Sequence, residues 1–244
     1  MKVYKALLLL LMCLASPAFG DRYIVDMDGN YLDKDDWGAC AMISAVMESQ
    51  GRYCQFLAIN NHVPETVSSW QLEMRSSALG GSSRFGPFRV VDYRVSADNG
   101  VGQLRAAMRE STSTNKLYIS LNGPAEMIWR ALNQGGGVPT ATRQYVTVVG
   151  HSSDYNSNSG PHKLSQCTGI KTVQIQNGNI NLNTQQNWSP WAWLKTSGDP
   201  DLQWVHARMK KSGRADVSDT CTVVYILTGN RTCDINYLKA MLLP

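Results

Sequence analysis

The sequence predicts an α/β fold, an open, mostly parallel, Rossmann-like sheet with helices on both faces. Three observations carry this. Short runs rich in β-branched and aromatic residues alternate with segments whose apolar residues recur at helical spacing. The units repeat at the length expected of parallel strands linked by helical crossovers. Strand runs end in polar residues, and ligands bind at the carboxyl ends of the strands in such sheets.

Tyr23-Ile24-Val25 is a short buried-strand run ending at Asp26. After Asp36, the residues Trp37, Cys40, Ala41, Ile43, Val46 and Met47 have a helical spacing that stops at Gly51. The alternation continues with a strand over 53–59, a helix over 65–79 and a strand over 89–93. A helix near 102–109, a strand over 117–121, a helix over 125–132 and a strand over 145–149 follow. The polar strand ends are Asp26 and Asp28, Asn60-Asn61-His62, Asn122-Gly123 and Gly150-His151, and the fold class predicts that they converge on one crevice. Residues 152–184 are rich in Asn, Ser and Gly and read as a loop-heavy excursion before the segment NWSPWAW.

Ahead of the first strand, Lys2 and Lys5 precede an apolar run from Ala6 to Ala15, then Pro17, Ala18 and Gly20. This is the pattern of a secretory signal over residues 1–20, cleaved before Asp21, which leaves 21–244 as one α/β domain. A secreted or periplasmic protein is expected. The apolar run is shorter than the roughly 20 residues a bilayer span needs, so no membrane association is expected after cleavage. The chain carries 23 Lys and Arg against 19 Asp and Glu, a formal charge of +4. The basic residues are scattered except for Arg208, Lys210 and Lys211, which argues against a nucleic-acid polymer as partner. The sequence leaves oligomerisation open.

Beyond the signal segment lie Cys40, Cys54, Cys167, Cys221 and Cys233. In an oxidising compartment Cys221–Cys233 and Cys40–Cys54 are candidates for local disulfide bonds, with Cys167 a buried structural thiol. No C-x-x-C pair supports a thiolate metal site.

Asp26, Asp28, Asp33, Asp35 and Asp36 crowd the end of the first strand. Such carboxylates repel one another unless a cation compensates them, and a hard ion bound by oxygens, calcium or magnesium, is the natural occupant. The loop is not an EF-hand: a glycine, Gly29, falls at its fourth position and Trp37 stands where the closing Glu belongs.

Asp26-x-Asp28-Gly29, followed by Asp35-Asp36-Trp37-Gly38-Ala39 at a helix start, resembles the nucleoside hydrolase fingerprint D-x-D-x-G-x-D-D-x-x-A. Ala58-Ile59-Asn60-Asn61 resembles the family's second-strand segment ending in a substrate-binding Asn. Leu121-Asn122-Gly123-Pro124 resembles its T-G-P-L-T-N turn, and Val217-Ser218-Asp219-Thr220 with the run Val223 to Leu227 resembles its late H-D-P-L-A motif. In order, these cover nearly the whole chain beyond the signal segment. The chain is thus similar to the calcium-dependent nucleoside hydrolase-like superfamily, as a divergent secreted member.

The resemblance implies a Ca²⁺ held by Asp28, Asp36, Asp219 and the Asn122 carbonyl, with Asp28 also the general base for the attacking water. It implies that Asp35 and Asn60 or Asn61 hydrogen-bond sugar hydroxyls. Two departures stand out. Three extra residues between Asp28 and the Asp35-Asp36 pair make the loop around Asp33 bulge. Ser218 stands where many members carry a His that helps a purine leave, which argues against that route here.

His62 and His151, both at strand ends, are the histidines available in its place, His151 as a catalytic acid and His62 as a substrate contact. Trp188, Trp191 and Trp193 flank Ser189-Pro190 where family members surround the sugar or the base. Trp191 and Trp193 read as residues on one side of a strand, and Asn187 and Trp191 as facing the crevice. Gly150-His151-Ser152-Ser153-Asp154 lacks the final glycine of a nucleophile elbow, and Gly135-Gly136-Gly137 lacks the lysine of a phosphate loop.

The expected function is a secreted, Ca²⁺-dependent hydrolase of glycosidic bonds, acting on nucleosides or a related small glycoside. One alternative is an enzyme acting on a carbohydrate or polysaccharide fragment. Another is a non-catalytic carbohydrate-binding protein that retains the metal site.

Overall fold

A computed structural model describes residues 20–29, 34–62, 68–151 and 160–243. The signal segment apart from Gly20, the residue Asp33, and Ser152 to Asp154 lie outside the described residues.

Six strands form one open sheet: β1 (Arg22–Met27), β2 (Phe56–Ile59), β3 (Arg89–Asp92), β4 (Leu117–Asn122), β5 (Val146–Gly150) and β6 (Lys171–Gln174). Their order is β3-β2-β1-β4-β5-β6 and every pairing is parallel. The α/β class with a parallel, Rossmann-like sheet is therefore as the sequence predicts. β1 and β4 are neighbours in the sheet but far apart in sequence, with register Met27 to Asn122 at their carboxyl ends. The chain winds left from β1 and right from β4, so the crevice of this sheet opens there.

Side chains alternate across each strand and divide between two cores. Val25, Met27, Leu57 and Ile59 face helices α1 (Asp36–Ser49), α2 (Ser68–Phe85) and, from the end of the chain, three more. Ile24, Phe56, Ala58, Ile119 and Leu121 face α3 (Ala97–Arg109) and α4 (Glu126–Asn133). Asp26 shares the parity of Ile24 and so faces the second layer. A one-turn α5 (Thr140–Arg143) precedes β5, and α6 (Asn179–Leu182) follows β6. The chain closes with α7 (Ala192–Lys195), α8 (Pro200–Ser212), α9 (Thr220–Thr228) and α10 (Ile235–Leu242). Of these, α8, α9 and α10 pack on the first layer against α1.

Local chemistry sets these boundaries. The β1–α1 connection ends in two acids, Asp35 at the N-cap and Asp36 in the first turn of α1; α1 stops ahead of Gly51, whose φ is +61°. α3 starts on Ser96, whose hydroxyl accepts from Asn99 N–H at 3.3 Å. α8 starts on Asp199-Pro200 and stops at Gly213, φ +76°.

Two expectations are corrected. β6 lies within the stretch read as loop. The segment around Trp191 is no strand: Ser189–Trp191 is a 3₁₀ turn opened by Pro190, and α7 follows directly, so Trp191 and Trp193 do not share a strand face.

All five described cysteines are buried free thiols. Both expected pairs are neighbours: the Cys221 Sγ donates to the Cys233 carbonyl at 3.8 Å, and Cys40 and Cys54 share one core. Burial pushes the Cys40 thiol up to about 12. Among the described residues no helix is long and apolar enough to cross a membrane.

Candidate functional site

Three buried carboxylates meet where β1 and β4 end. Asp28 lies just past β1, Asp36 in the first turn of α1 and Asp219 at the N-cap of α9. The Gly29 N–H donates to Asp28 Oδ1 and to Asp36 Oδ2, both at 2.7 Å. Asp219 makes no capping bond with its own helix. Its carboxylate instead faces Asp36 and His151. Two helix N-termini thus converge on the cluster, and the positive ends of their dipoles favour negative charge there.

The charges are not independent. Burial, then the charges of Asp28 and Asp219 and the hydrogen bonds with both, holds the Asp36 carboxyl well above the usual carboxylate range. Burial alone would raise Asp219 too, but hydrogen bonds from Asp36 and His151 outweigh it and lower it. Asp36 therefore favours its protonated form, hydrogen-bonded to Asp28 and Asp219.

His151, 4% exposed, sits at the end of β5. Its Nε2 lies 2.6 Å from Asp219 Oδ1, and its Nδ1 accepts from Gly178 N–H at 3.3 Å. Burial disfavours the imidazolium, yet the Asp219 hydrogen bond and charge, with smaller contributions from Asn177 and Asp216, raise His151 above the usual histidine range. Both ring nitrogens are thus engaged within the protein, with Asp219 and with Gly178.

Asn122 ties the two halves of the site together. Its carbonyl accepts from Asp28 N–H at 2.9 Å, which occupies one of the two lone pairs expected to face a metal. Its side chain donates to Ser120 Oγ at 2.8 Å and accepts from Thr222 Oγ1 at 3.1 Å. Thr222 in turn lies 2.6 Å from Ser120 Oγ. β4 is thereby fastened to α9 beside Asp219.

The second-strand asparagines divide. Asn60 adopts φ +59°, a left-handed conformation that Asn tolerates better than most residues. The kink turns its amide to Asp92 Oδ1, 2.9 Å away beyond β2. Asn61 turns back toward β1: its N–H donates to the Met27 carbonyl at 3.1 Å and its amide to Asp26 Oδ1 at 3.2 Å. Asn61, and not Asn60, adjoins the carboxylates. Gly123 sits between them, where a Cβ would come within 2.5 Å of Asn61 Oδ1 and 2.7 Å of Asp28 Cβ. Asp26 is fully buried beneath, and burial, against the Asn61 hydrogen bond, pushes its carboxyl up to about 8.

Asp35 is ion-paired with Arg214, Oδ1 to Nη1 at 2.8 Å, so its sugar contact would compete with a resident cation. His62 lines a cleft of about 240 Å³ together with Asn61, Glu126 and Arg130. Trp191 is fully buried and its indole N–H is taken by Thr184 Oγ1 at 3.0 Å. It is core, which corrects its placement in the crevice. Asn187 is exposed and its Oδ1 accepts from Ser189 N–H at 3.1 Å, inside its own turn.

Sequence reasoning missed Arg214, Asp216, Thr222 and Gly178. Asp216 is buried and accepts from Ser218 N–H at 2.9 Å. Its position three residues ahead of Asp219 was the available signal. Gly178 has no such signal; it is glycine because a Cβ would collide with the Ser218 carbonyl.

The donor chemistry of Asp28, Asp36 and Asp219 is that of a hard cation, all oxygen and all charged when deprotonated. Among the described residues no group of three or more His, Cys, Asp or Glu is arranged to hold a metal ion as it stands. Asp36 is hydrogen-bonded to both Asp28 and Asp219, and a cation would have to displace the proton of that contact.

No family model matches this chain, and no solved structure matches it. A curated relative, uncharacterized protein P22 of Formosa agariphila, is 25% identical over 233 residues, covering 85% of this chain and 84% of its own.

Proposed function

We propose that this protein is an exported, calcium-dependent hydrolase of glycosidic bonds, of nucleoside hydrolase type, acting on an N-ribosyl or related small glycoside. The observation that carries the reading is the meeting of Asp28 and Asp36, from the β1–α1 connection, with Asp219, from the start of α9, at the carboxyl ends of β1 and β4. The motif resemblance assigns these same three side chains to one metal.

Asp28, Asp36 and Asp219 would hold the ion, with the Asn122 carbonyl available through its second lone pair. When bound, calcium supplies positive charge that orients and acidifies a water. Asp28 is the general base that takes the proton of that water. Asn61 is the sugar-hydroxyl contact best supported by position, since it alone of the two asparagines adjoins Asp28. His151 holds Asp219 in place and keeps that carboxylate ionised.

The test is release of reducing sugar from nucleosides and aryl glycosides by the wild type and by Asp28→Asn. The substitution should abolish turnover while fold and calcium uptake persist. An unchanged rate would overturn the base assignment.

A further inference from the structure

We propose that the cleft between Asn61, His62, Glu126 and Arg130 is the subsite for the leaving group, and that it is built for a single sugar ring and not for a nucleobase. This rests on the hydrolase reading and names its substrate class: a glycoside whose departing group is itself a hydroxylated ring.

The cleft adjoins the carboxylates through Asn61, whose amide lies against Gly123 next to Asp28. The Asn61 side chain is 1% exposed, lines the cleft, and has an Oδ1 with no hydrogen-bond partner among the described residues. A buried acceptor left unpaired at a cavity wall is costly, and a ligand hydroxyl would satisfy it. Glu126 and Arg130 stand one turn apart on α4, so both project from one helix face. Each is held in place. Glu126 Oε2 lies 2.7 Å from His162 Nδ1, and His162 is stacked on Trp129 at 3.3 Å and 4°. Arg130 donates to Asp98 Oδ1 at 2.8 Å and to Gln134 Oε1 at 3.1 Å.

A fixed carboxylate accepts only and a fixed guanidinium donates only, whereas a sugar hydroxyl does both. Between these polar groups Pro124, Met127 and Pro161 offer aliphatic surface to the C–H face of a ring. Among the described residues the lining includes no Phe, Tyr or Trp on which a planar base would stack. The volume, about 240 Å³, lies under the roughly 300–1,000 Å³ of sites for larger ligands, which suits one ring.

The Met127 methyl group reports on this cleft without any need for turnover. In full-length protein carrying ¹³C-methyl methionine, with the Met127 signal assigned through Met127→Leu, D-glucose, D-galactose, D-ribose, adenine and uracil are titrated separately. A saturable shift of Met127 is expected with at least one sugar and with neither base. Glu126→Gln should weaken that affinity at least about ten-fold, with the core signals of Met42 and Met108 unmoved; if those move, His62→Ala carries the same expectation. Tighter response to a base, no response to any sugar, or full affinity in the variant would overturn the proposal. Inactivity on every glycoside with an intact Met127 response would count against the hydrolase reading alone.

Discussion

His151 Nε2 and Asp219 Oδ1 lie 2.6 Å apart, and Gly178 N–H closes the other side of the ring at 3.3 Å. The imidazole is thus a strut between the loop after β6 and the first turn of α9, and its removal exposes what it supports. His151→Ala leaves Asp219 buried and short of a partner. Unfolding in denaturant should show a loss on the order of 3 kcal/mol, and calorimetry a 10- to 100-fold weaker calcium affinity, roughly the effect of losing an outer-shell partner. A variant with wild-type affinity would contradict the positioning role.

Asp36 holds its proton far above the usual carboxylate range because burial and two neighbouring carboxylates oppose its ionisation. A cation must displace that proton. Calcium binding should therefore release protons and weaken as pH falls. Titrations in two buffers of different ionisation enthalpy measure the release; identical heats in both would exclude it.

Asp26 has a carboxyl pushed up to about 8 by burial, against about 4 in an unfolded chain. The folded state then binds the Asp26 proton more tightly than the unfolded state. Its contribution is fully present below about pH 4 and is lost as pH rises from there toward 8. Asp26→Asn, neutral throughout, should flatten the decline in Tm across that window. A variant whose Tm falls with pH as steeply as the wild type would refute this.

How much of this could be read in advance depends on burial. β1, β2, β4 and β5 are covered on both faces, so their apolar runs stand out, and the polar residues that end them mark the crevice. β6 is an exposed edge whose Lys171-Thr172-Val173-Gln174 carries little hydrophobic signal. α8 was signalled by Asp199-Pro200 and Gly213 but not by a marked apolar stripe. In the site, Asp28 and Asp36 stood out within an acidic cluster at a strand end, whereas Asp219 was singled out only through the resemblance to a late family motif. The role of His151 was not, since it depends on Gly178 arriving from a distant loop. Trp191 misled for a related reason: an aromatic residue near Pro reads equally as platform or as core, and only the Thr184 contact decides it.

Gly123 has φ +152° and lies against both Asn61 and Asp28. Gly123→Ala adds a Cβ within 2.5 Å of one and 2.7 Å of the other. The variant should lose about 2 kcal/mol or more of stability and calcium affinity with it. Unchanged values in both would mean that the site tolerates the displacement.

Arg214 and Asp35 make the contrasting case. The guanidinium is 47% exposed, and such pairs contribute less than about 1 kcal/mol. Arg214→Ala should leave Tm nearly unchanged while freeing the Asp35 carboxylate toward the ligand, which would lower KM on any glycoside that Asp35 contacts. A raised KM would instead assign Arg214 itself to substrate.

The most direct measurement is hydrolysis of a panel of nucleosides and small glycosides by the full-length protein, with calcium, with EDTA, and with calcium restored. Turnover that EDTA abolishes and calcium restores is the expected result. Calcium binding without turnover of any substrate, or turnover indifferent to EDTA, would contradict a calcium-dependent hydrolase at Asp28, Asp36 and Asp219.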